Sequence, residues 1–383
     1  MKIVLVGPVY PYKGGIAHYT SLLHNALIKE HDITLISYKM QYPKLLFKSE
    51  QKDYSNEVFK IENTQFLINT ANPFNIIGVA KRINEINPDA VIIQWWHPYF
   101  APCYRILTNH LKKNIKILFT CHNVFPHERF PMDRFLTKLV LNKGDGFIVH
   151  SKSDENDLLS FKENANRVFN PIPTYNVFKI RNINKIEGRE EIVQKDRFDI
   201  SDSTKLLLFF GFIREYKGLK HLINAMPQVA EHFPDCRLLV VGSFRDDKEE
   251  YVNLIKSLGV DSYIYIKDTY TPDNEVEKYF SASDLVVLPY EDATQSAIVQ
   301  VAFGFEKPVL VTNVGGLPDV VEDTVTGYVI NPFDSSEIAQ KIIDFFENNR
   351  EEEFVENIKN ESSRFSWNQM VKSINCLVSN KEI

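Results

Sequence analysis

No apolar run in this 383-residue chain reaches the roughly 18 residues that a membrane-crossing helix needs. A spanning segment is therefore not expected. The four cysteines, Cys103, Cys121, Cys236 and Cys376, stand far apart with no C-x-x-C pair. That spacing gives neither a zinc nor a disulfide pattern and suits a reducing compartment, where a thiol serves as a small buried apolar group. There is no short internal repeat and no Asp-x-Asp of the metal-binding kind. Asp246-Asp247 belongs to a charged run, residues 245–250, that reads as solvated surface. A strand pattern begins at Lys2 and leaves no room for a charged and apolar signal region, so an unexported, soluble protein is the expectation.

What is present is an ordinary globular composition, 44% hydrophobic and 25% charged, in a length that accommodates two domains. The net charge of -6 conceals an asymmetry. Residues 1–190 carry 25 Lys and Arg against 17 Asp and Glu, a net of +8, whereas the remainder carries 19 against 33, a net of -14. A basic first half favours an anionic substrate or surface, and the acidic second half argues against wrapping nucleic acid. Basic residues also alternate with large apolar ones in Tyr38-Lys39-Met40-Gln41-Tyr42-Pro43-Lys44-Leu45-Leu46-Phe47-Lys48 and in residues 129–139, from Arg129 to Leu139. Such stretches are compatible with an anionic bilayer surface and equally with ordinary amphipathic surface elements.

Short β-compatible runs alternate with helical segments through the first half: residues 3–6, a helix at about 18–29, then 33–37, 90–94, 117–120 and 146–150. This is the rhythm of a parallel α/β sheet. Polar residues rich in Asn, Lys and Glu fill about 179–203 and read as an interdomain linker. A second series follows at 206–211, 237–242, 263–266, 285–288, 309–312 and 328–330. Two α/β domains are expected, 1–185 and 186–383, with the last helix, about 366–380, packing back on the first. The space between two such halves is a common ligand site.

The stretch from Val286 to Asp319 is the most informative. A buried strand pattern, Val286-Val287-Leu288-Pro289-Tyr290, runs into the polar Ala293-Thr294-Gln295-Ser296, then a helical run, a second strand and the turn Gly315-Gly316-Leu317-Pro318. Open α/β sheets bind ligands beyond the carboxyl ends of their strands, where helix N-termini offer free N–H groups to anions. A phosphate-bearing ligand fits that order.

These elements, with several motifs in sequence, resemble the retaining family-4 glycosyltransferases of the GT-B fold, over essentially the whole chain. Gly7-Pro8 followed by Gly14-Gly15-Ile16 is similar to the family's N-terminal glycine loop, which the resemblance places near the donor diphosphate. His122, in Phe119-Thr120-Cys121-His122-Asn123, matches the family's histidine near the donor sugar, and Asn170-Pro171-Ile172 its Asn-Gly-Val. Gly211-Phe212-Ile213-Arg214-Glu215-Tyr216-Lys217-Gly218 resembles the segment that grips the diphosphate. Val240-Val241-Gly242-Ser243, residues 283–289 and 313–321, and Thr326-Gly327 complete the series. The resemblance implies an α/β GT-B fold of two Rossmann-like, doubly wound domains facing a cleft, and transfer of a sugar from a nucleotide diphosphate with retention. The resemblance implies that the leaving phosphate takes the acceptor proton, so that no nucleophilic carboxylate is needed, and Arg214, Lys217 and the N–H groups of Gly15 and of Thr294 to Ser296 are expected to offset the diphosphate charge without a metal or other cofactor.

Two departures qualify it. The family's Glu-Gly-Phe-Gly is replaced by Ala293-Thr294-Gln295-Ser296, and its second Glu by Val301. Glu291 and Gln300 are the nearest replacements. The family's Arg after the glycine is Phe212 here, with Arg214 two residues on. The candidate catalytic residues are accordingly His122, Arg214 and Lys217, and the donor-binding ones Gly14, Gly15, Gly242, Glu291, Thr294, Gln295, Ser296 and Gln300. Trp95, Trp96 and His97 are acceptor-side candidates, with one tryptophan expected to be buried because strand neighbours point to opposite faces. Thr294 and Ser296 are also plausible helix caps, a role that shares the same free N–H groups. The expected activity is transfer to a lipid-linked or oligosaccharide acceptor in cell-surface polysaccharide synthesis, in the cytoplasm or at the cytoplasmic membrane face. A nucleotide-sugar epimerase and a catalytically inactive scaffold subunit are the alternatives.

Overall fold

The computed structural model describes residues 1–45, 50–54, 57, 59–126, 130–244 and 248–379. Leu46, Phe47, Lys48 and Arg129 of the basic stretches, and Arg245, Asp246 and Asp247 of the charged run, lie outside the described residues. The chain divides into two units, Met1–Pro171 with Ser366–Ile383, and Ile172–Phe365.

The first unit runs β1 (Lys2–Val6), α1 (Gly15–Leu27), β2 (Asp32–Met40), β3 (Gln65–Asn69), α2 (Pro73–Ile86), β4 (Ala90–Trp95), α3 (Ala101–Asn109), β5 (Lys116–Cys121), α4 (Asp133–Leu141), β6 (Gly146–Val149), α5 (Lys152–Leu159) and β7 (Arg167–Phe169). All its described strand pairs are parallel, in the order β3-β2-β1-β4-β5-β6-β7. Parallel neighbours require crossovers, and helices supply them except between β2 and β3, where no helix is described. Val4, Val6, Val91, Ile93, Phe119 and Phe147 point into one core with residues of α2, α3 and α4. Their strand neighbours Ile3, Leu5, Ile92, Leu118 and Ile148 are equally buried. Both sheet faces are thus covered, which is why these strands read as unbroken apolar runs.

The second unit runs α6 (Lys185–Asp196), β8 (Lys205–Phe210), α7 (Leu219–His232), β9 (Cys236–Val241), α8 (Lys248–Ser257), β10 (Ile264–Lys267), α9 (Asp273–Ala282), β11 (Leu285–Leu288), α10 (Ala297–Gly304), β12 (Val309–Thr312), β13 (Gly327–Ile330), α11 (Ser335–Glu347) and α12 (Glu351–Glu361). Its strands are again parallel, in the order β10-β9-β8-β11-β12-β13. The last helix, α13 (Trp367–Ser379), lies in the first unit, against α1, β6 and β7.

Several expectations are corrected. The division falls after Pro171 rather than after residue 185, because the segment read as a linker contains α6, which packs on α9. Arg189 of α6 is buried, donating to the Ala282 and Ser201 carbonyls and to both Asp284 oxygens at 3.2 Å. Helix α1 begins at Gly15 rather than near residue 18, and β3 and β7 add two edge strands that the apolar pattern misses. The stretch from Tyr38 is not a surface element as a whole. Tyr38 is fully buried in β2, and only Leu45 among its described large apolar residues stands well out, at 88% exposure.

Candidate functional site

In the second unit the strand order reverses between β8 and β11, and the loops after these strands touch. The amide of Glu291 donates to the Tyr216 carbonyl at 2.7 Å, and the Tyr216 and Tyr290 rings meet edge-on. The Lys217 ammonium lies 5.2 Å from the centre of the Tyr290 ring. A side chain at Gly211 would place its Cβ 3.3 Å from Lys217 Nζ and 3.8 Å from Ile298 Cδ1 in the first turn of α10. Lys217 is therefore held beside the start of α10, where unpaired N–H groups and the helix dipole favour an anion. Arg214 is exposed on the same loop, and its carbonyl accepts from the Lys217 amide.

The polar loop before α10 is fixed from below by the glycine turn after β12. Gly315 has φ of +50°, and a Cβ there would stand 1.5 Å from the Ala293 carbonyl oxygen. The next amide, of Gly316, donates to the Thr294 carbonyl at 2.8 Å. Ser296 caps α10, accepting from the Ile298 amide, and Thr294 and Gln295 are half-buried beside it. A substitution at Gly242 would press on the Gly211 carbonyl at 1.9 Å. Its glycine is explained by that backbone approach between the ends of β8 and β9.

The two replacement candidates for the missing glutamates behave differently. Glu291 is half-buried, with Oε1 2.8 Å from His221 Nε2, so its carboxylate is oriented by the first turn of α7. Gln300 is 1% exposed; its carbonyl accepts from the Tyr175 amide and its side-chain Oε1 has no hydrogen-bond partner. It lies inside the unit, not on an open surface.

In the first unit the candidates gather at the ends of β1, β4 and β5. Gly14 precedes α1, and a Cβ on Gly14 or Gly15 would meet nothing within 4 Å, so the backbone here is open to a ligand. Helix α1 has no side-chain cap at this end. His122 is 7% exposed, with Nε2 2.7 Å from Gln94 Oε1. Since that oxygen only accepts, the ring donates there. Burial, and secondarily the neighbouring His150, pushes the His122 pKa well below 6.5, so the ring is neutral at ordinary pH. A neutral imidazole hydrogen-bonds hydroxyls without carrying charge. Its seat is tight: a Cβ on Gly7 would come 2.6 Å from Gln94 Cγ, and the Tyr19 ring packs edge-on at 4.7 Å.

Trp95 is a core residue and not an acceptor contact. It is fully buried, and its Nε1 donates to the Val124 carbonyl. Trp96, its half-buried neighbour, donates to the Tyr42 hydroxyl and packs on Phe100 at 4.2 Å. His97 caps a short 3-10 turn through Nδ1 and stacks near Phe130. Gln94, His150 and His221 were not anticipated. Gln94 and His150 do carry a signal, a polar residue at the carboxyl end of an apolar strand; His221 carries none. Among the described residues, no group of three or more His, Cys, Asp or Glu is placed to hold a metal ion.

Residues 190–362 match the family Glycosyl transferases group 1, and residues 13–174 match Glycosyltransferase Family 4. The chain belongs to these glycosyltransferases. Their GT-B fold is also that of sucrose-phosphate synthase from Thermosynechococcus elongatus, with a TM-score of 0.74 at 16% identity, covering 99% of this chain and 98% of that one. Anabaena HepE, solved in complex with UDP-glucose, is similar at a TM-score of 0.71 and 18% identity, covering 98% and 99%. An uncharacterized glycosyltransferase of Methanocaldococcus jannaschii is 28% identical over 192 residues, 49% of this chain and 48% of its own length. The match thus spans about half of that curated relative. In this glycosyltransferase the Lys217 loop, the polar loop and the glycine turn all fall within the group 1 match, and Gly14, Gly15 and His122 within the family-4 match.

Proposed function

We propose that the chain transfers a sugar from a nucleotide diphosphate to a lipid-linked or oligosaccharide acceptor in cell-surface polysaccharide synthesis, with retention at the anomeric carbon. The observation that carries this reading is Lys217 Nζ held beside Gly211 and the first turn of α10, at the strand-order reversal of a unit that matches the group 1 family. That arrangement suits a leaving diphosphate. The bond from the anomeric carbon to the phosphate oxygen breaks, and a bond from that carbon to the acceptor oxygen forms on the same face. The acceptor proton passes to the departing phosphate, and a nucleoside diphosphate leaves. Lys217, Arg214 and the free amides of α10 offset the charge that develops, the kind of preorganised stabilisation that usually contributes most. His122, neutral and oriented by Gln94, serves sugar hydroxyls. The complex of HepE with UDP-glucose supports a nucleotide-sugar donor of this type.

The acceptor side rests on the exposed face of α4 and the turn before it. Met132 and Phe135 are 63% and 58% exposed with Arg134 and Lys138 beside them, a pattern suited to an anionic lipid surface. No helix among the described residues is long and apolar enough to cross a membrane.

Purified protein is to be melted with UDP, GDP or ADP and their sugars, and assayed for nucleoside diphosphate release. A ligand bound by the native state alone adds about 2.7 kcal/mol at a hundred times its Kd. One nucleotide class should raise the melting temperature, with release from its sugar. Stabilisation without release would favour the inactive-scaffold reading instead, and no stabilisation by any class would refute nucleotide-sugar transfer.

A further inference from the structure

Between β2 and β3 the chain makes an excursion, residues 41–64, whose described part runs back along the approach to α1. The Lys13 amide donates to the Gln51 carbonyl at 3.0 Å, and the Asp53 amide donates to the Pro11 carbonyl at 2.7 Å. Tyr12 and Lys52 thereby form an antiparallel bridge, with the Lys52 ammonium 5.1 Å from the centre of the Tyr12 ring. Farther on, the buried Phe59 ring stacks on His18 of α1 at 4.2 Å, and the Phe59 carbonyl accepts from Ser21 Oγ at 3.3 Å. The excursion thus grips the chain on both sides of Gly14-Gly15.

Gln51 is where this strap joins the sheet. Its side-chain Nε2 donates to the Tyr42 carbonyl at 3.1 Å and its Oε1 accepts from the Tyr42 amide at 3.3 Å, two residues past the end of β2. A primary amide carries a donor and an acceptor at one end, so it satisfies both main-chain groups of a single residue. The main-chain carbonyl of Gln51 meanwhile holds Lys13, the residue before Gly14. Gly14-Gly15 has no brace of its own. Gly14 has φ of +109°, a Cβ on either glycine would meet nothing within 4 Å, and α1 has no side-chain cap. Glycine has the most backbone freedom to lose, so the direction of the first N–H groups of α1 is set by the residues that lead into them.

We propose that Gln51 is a positioning residue: through Lys13 it fixes the start of α1, so that the bare N–H groups there point at the phosphates of the donor. This rests on the nucleotide-sugar reading and adds the device that orders the glycine loop. The Gln51 side chain touches no substrate. It acts by preorganisation, holding amides where negative charge develops instead of leaving them to be ordered at each turnover. Its loss therefore falls on kcat/KM and not on the stability of the sheet.

The test uses Gln51→Met in the full chain, which keeps the length of the side chain and removes both hydrogen bonds. Release of nucleoside diphosphate from UDP-glucose, GDP-mannose and ADP-glucose first selects the sugar that the wild type cleaves. With that sugar kcat/KM should fall about 10-fold in the variant, the scale of two neutral hydrogen bonds that no longer hold the loop. Residue-resolved hydrogen exchange should show the Lys13 amide exchanging about 10-fold faster, while the Val4 and Val6 amides of β1 and the melting temperature stay as in the wild type. Gly15→Ala, which puts a methyl group on the same open backbone, should cost less in Gln51→Met than in the wild type, because both changes act at one loop. Unaltered kcat/KM in Gln51→Met, faster exchange throughout β1, or losses that add in the double variant would overturn the assignment while leaving the nucleotide-sugar reading standing. Wild-type protein that cleaves none of the three sugars would overturn that reading and the assignment with it.

Discussion

At the residue scale, Lys217 bears the heaviest chemical assignment, and it is a side chain whose ammonium can be removed with little structural cost. Its Nζ packs on the Tyr290 ring and near Gly211, and it fills no core position. If it offsets charge on a leaving diphosphate, Lys217→Ala should lower kcat about 100-fold, the scale seen when one preorganised charge-stabilising donor is lost, with little change in melting temperature. Steady-state rates of nucleoside diphosphate release check this, and a kcat within threefold of wild type would remove the assignment. Lys217 was legible in the sequence because a glycine, two cations and a second glycine follow an apolar strand within eight residues. Trp95 and Trp96 were not separable in advance: alternation says that one faces inward, and only the Trp95 bond to Val124 decides which. The orientation of Glu291 was hidden for a different reason. Its partner His221 lies 70 residues away in sequence and reaches it only once α7 and β11 are packed.

At the scale of elements, α6 shows how a helix escapes a pattern search. Its sequence, KIEGREEIVQKD, has no broad apolar stripe, and it is held by an ion pair and a close backbone approach. A Cβ on Gly188 would come 2.9 Å from the Lys278 carbonyl of α9. Arg189 carries bonds to the Ala282, Ser201 and Asp202 backbone carbonyls and to Asp284, whose carboxylate also accepts from the Leu206 amide at the start of β8. Removing one partner of a buried, hydrogen-bonded pair leaves charge and carbonyls uncompensated. Arg189→Ala should therefore destabilise the second unit by about 3 kcal/mol, at the lower end of the usual range because Lys185 also pairs with Asp284. Urea unfolding measures it, and a loss under about 1 kcal/mol would mean that α6 is held by other contacts. The parallel strands of both units were legible because both faces are covered, so their apolar runs are unbroken. The edge strands β3 and β7 were not, since half-buried edges mix polar and apolar residues.

At the scale of the whole molecule, two buried histidines of the first unit tie stability to pH. His150 donates from Nδ1 to the Asn170 carbonyl, its Nε2 is buried without a partner, and burial lowers its pKa to about 4. His122, with its ring centre 5.5 Å away, is lowered too. The folded state thus refuses protons that the unfolded chain accepts below about pH 6.5. Their contribution is fully present above that pH and is lost as pH falls toward 4, with His150 alone accounting for about 3 kcal/mol across the interval. Asp154 runs the other way. Burial raises its pKa to about 7, so it contributes less as pH rises through the same range. Comparison of wild type with His150→Asn cancels that opposing effect, because Asp154 is common to both. The difference in unfolding free energy between the two proteins should shift by about 1.4 kcal/mol per pH unit between pH 6 and pH 4, the wild type losing ground as the solution becomes more acidic. Urea titrations at pH 7, 6, 5 and 4 give the slope. A difference that stays constant over those values would show that His150 titrates alike in the folded and unfolded chains, and His150 would then have no part in the acid sensitivity of the fold.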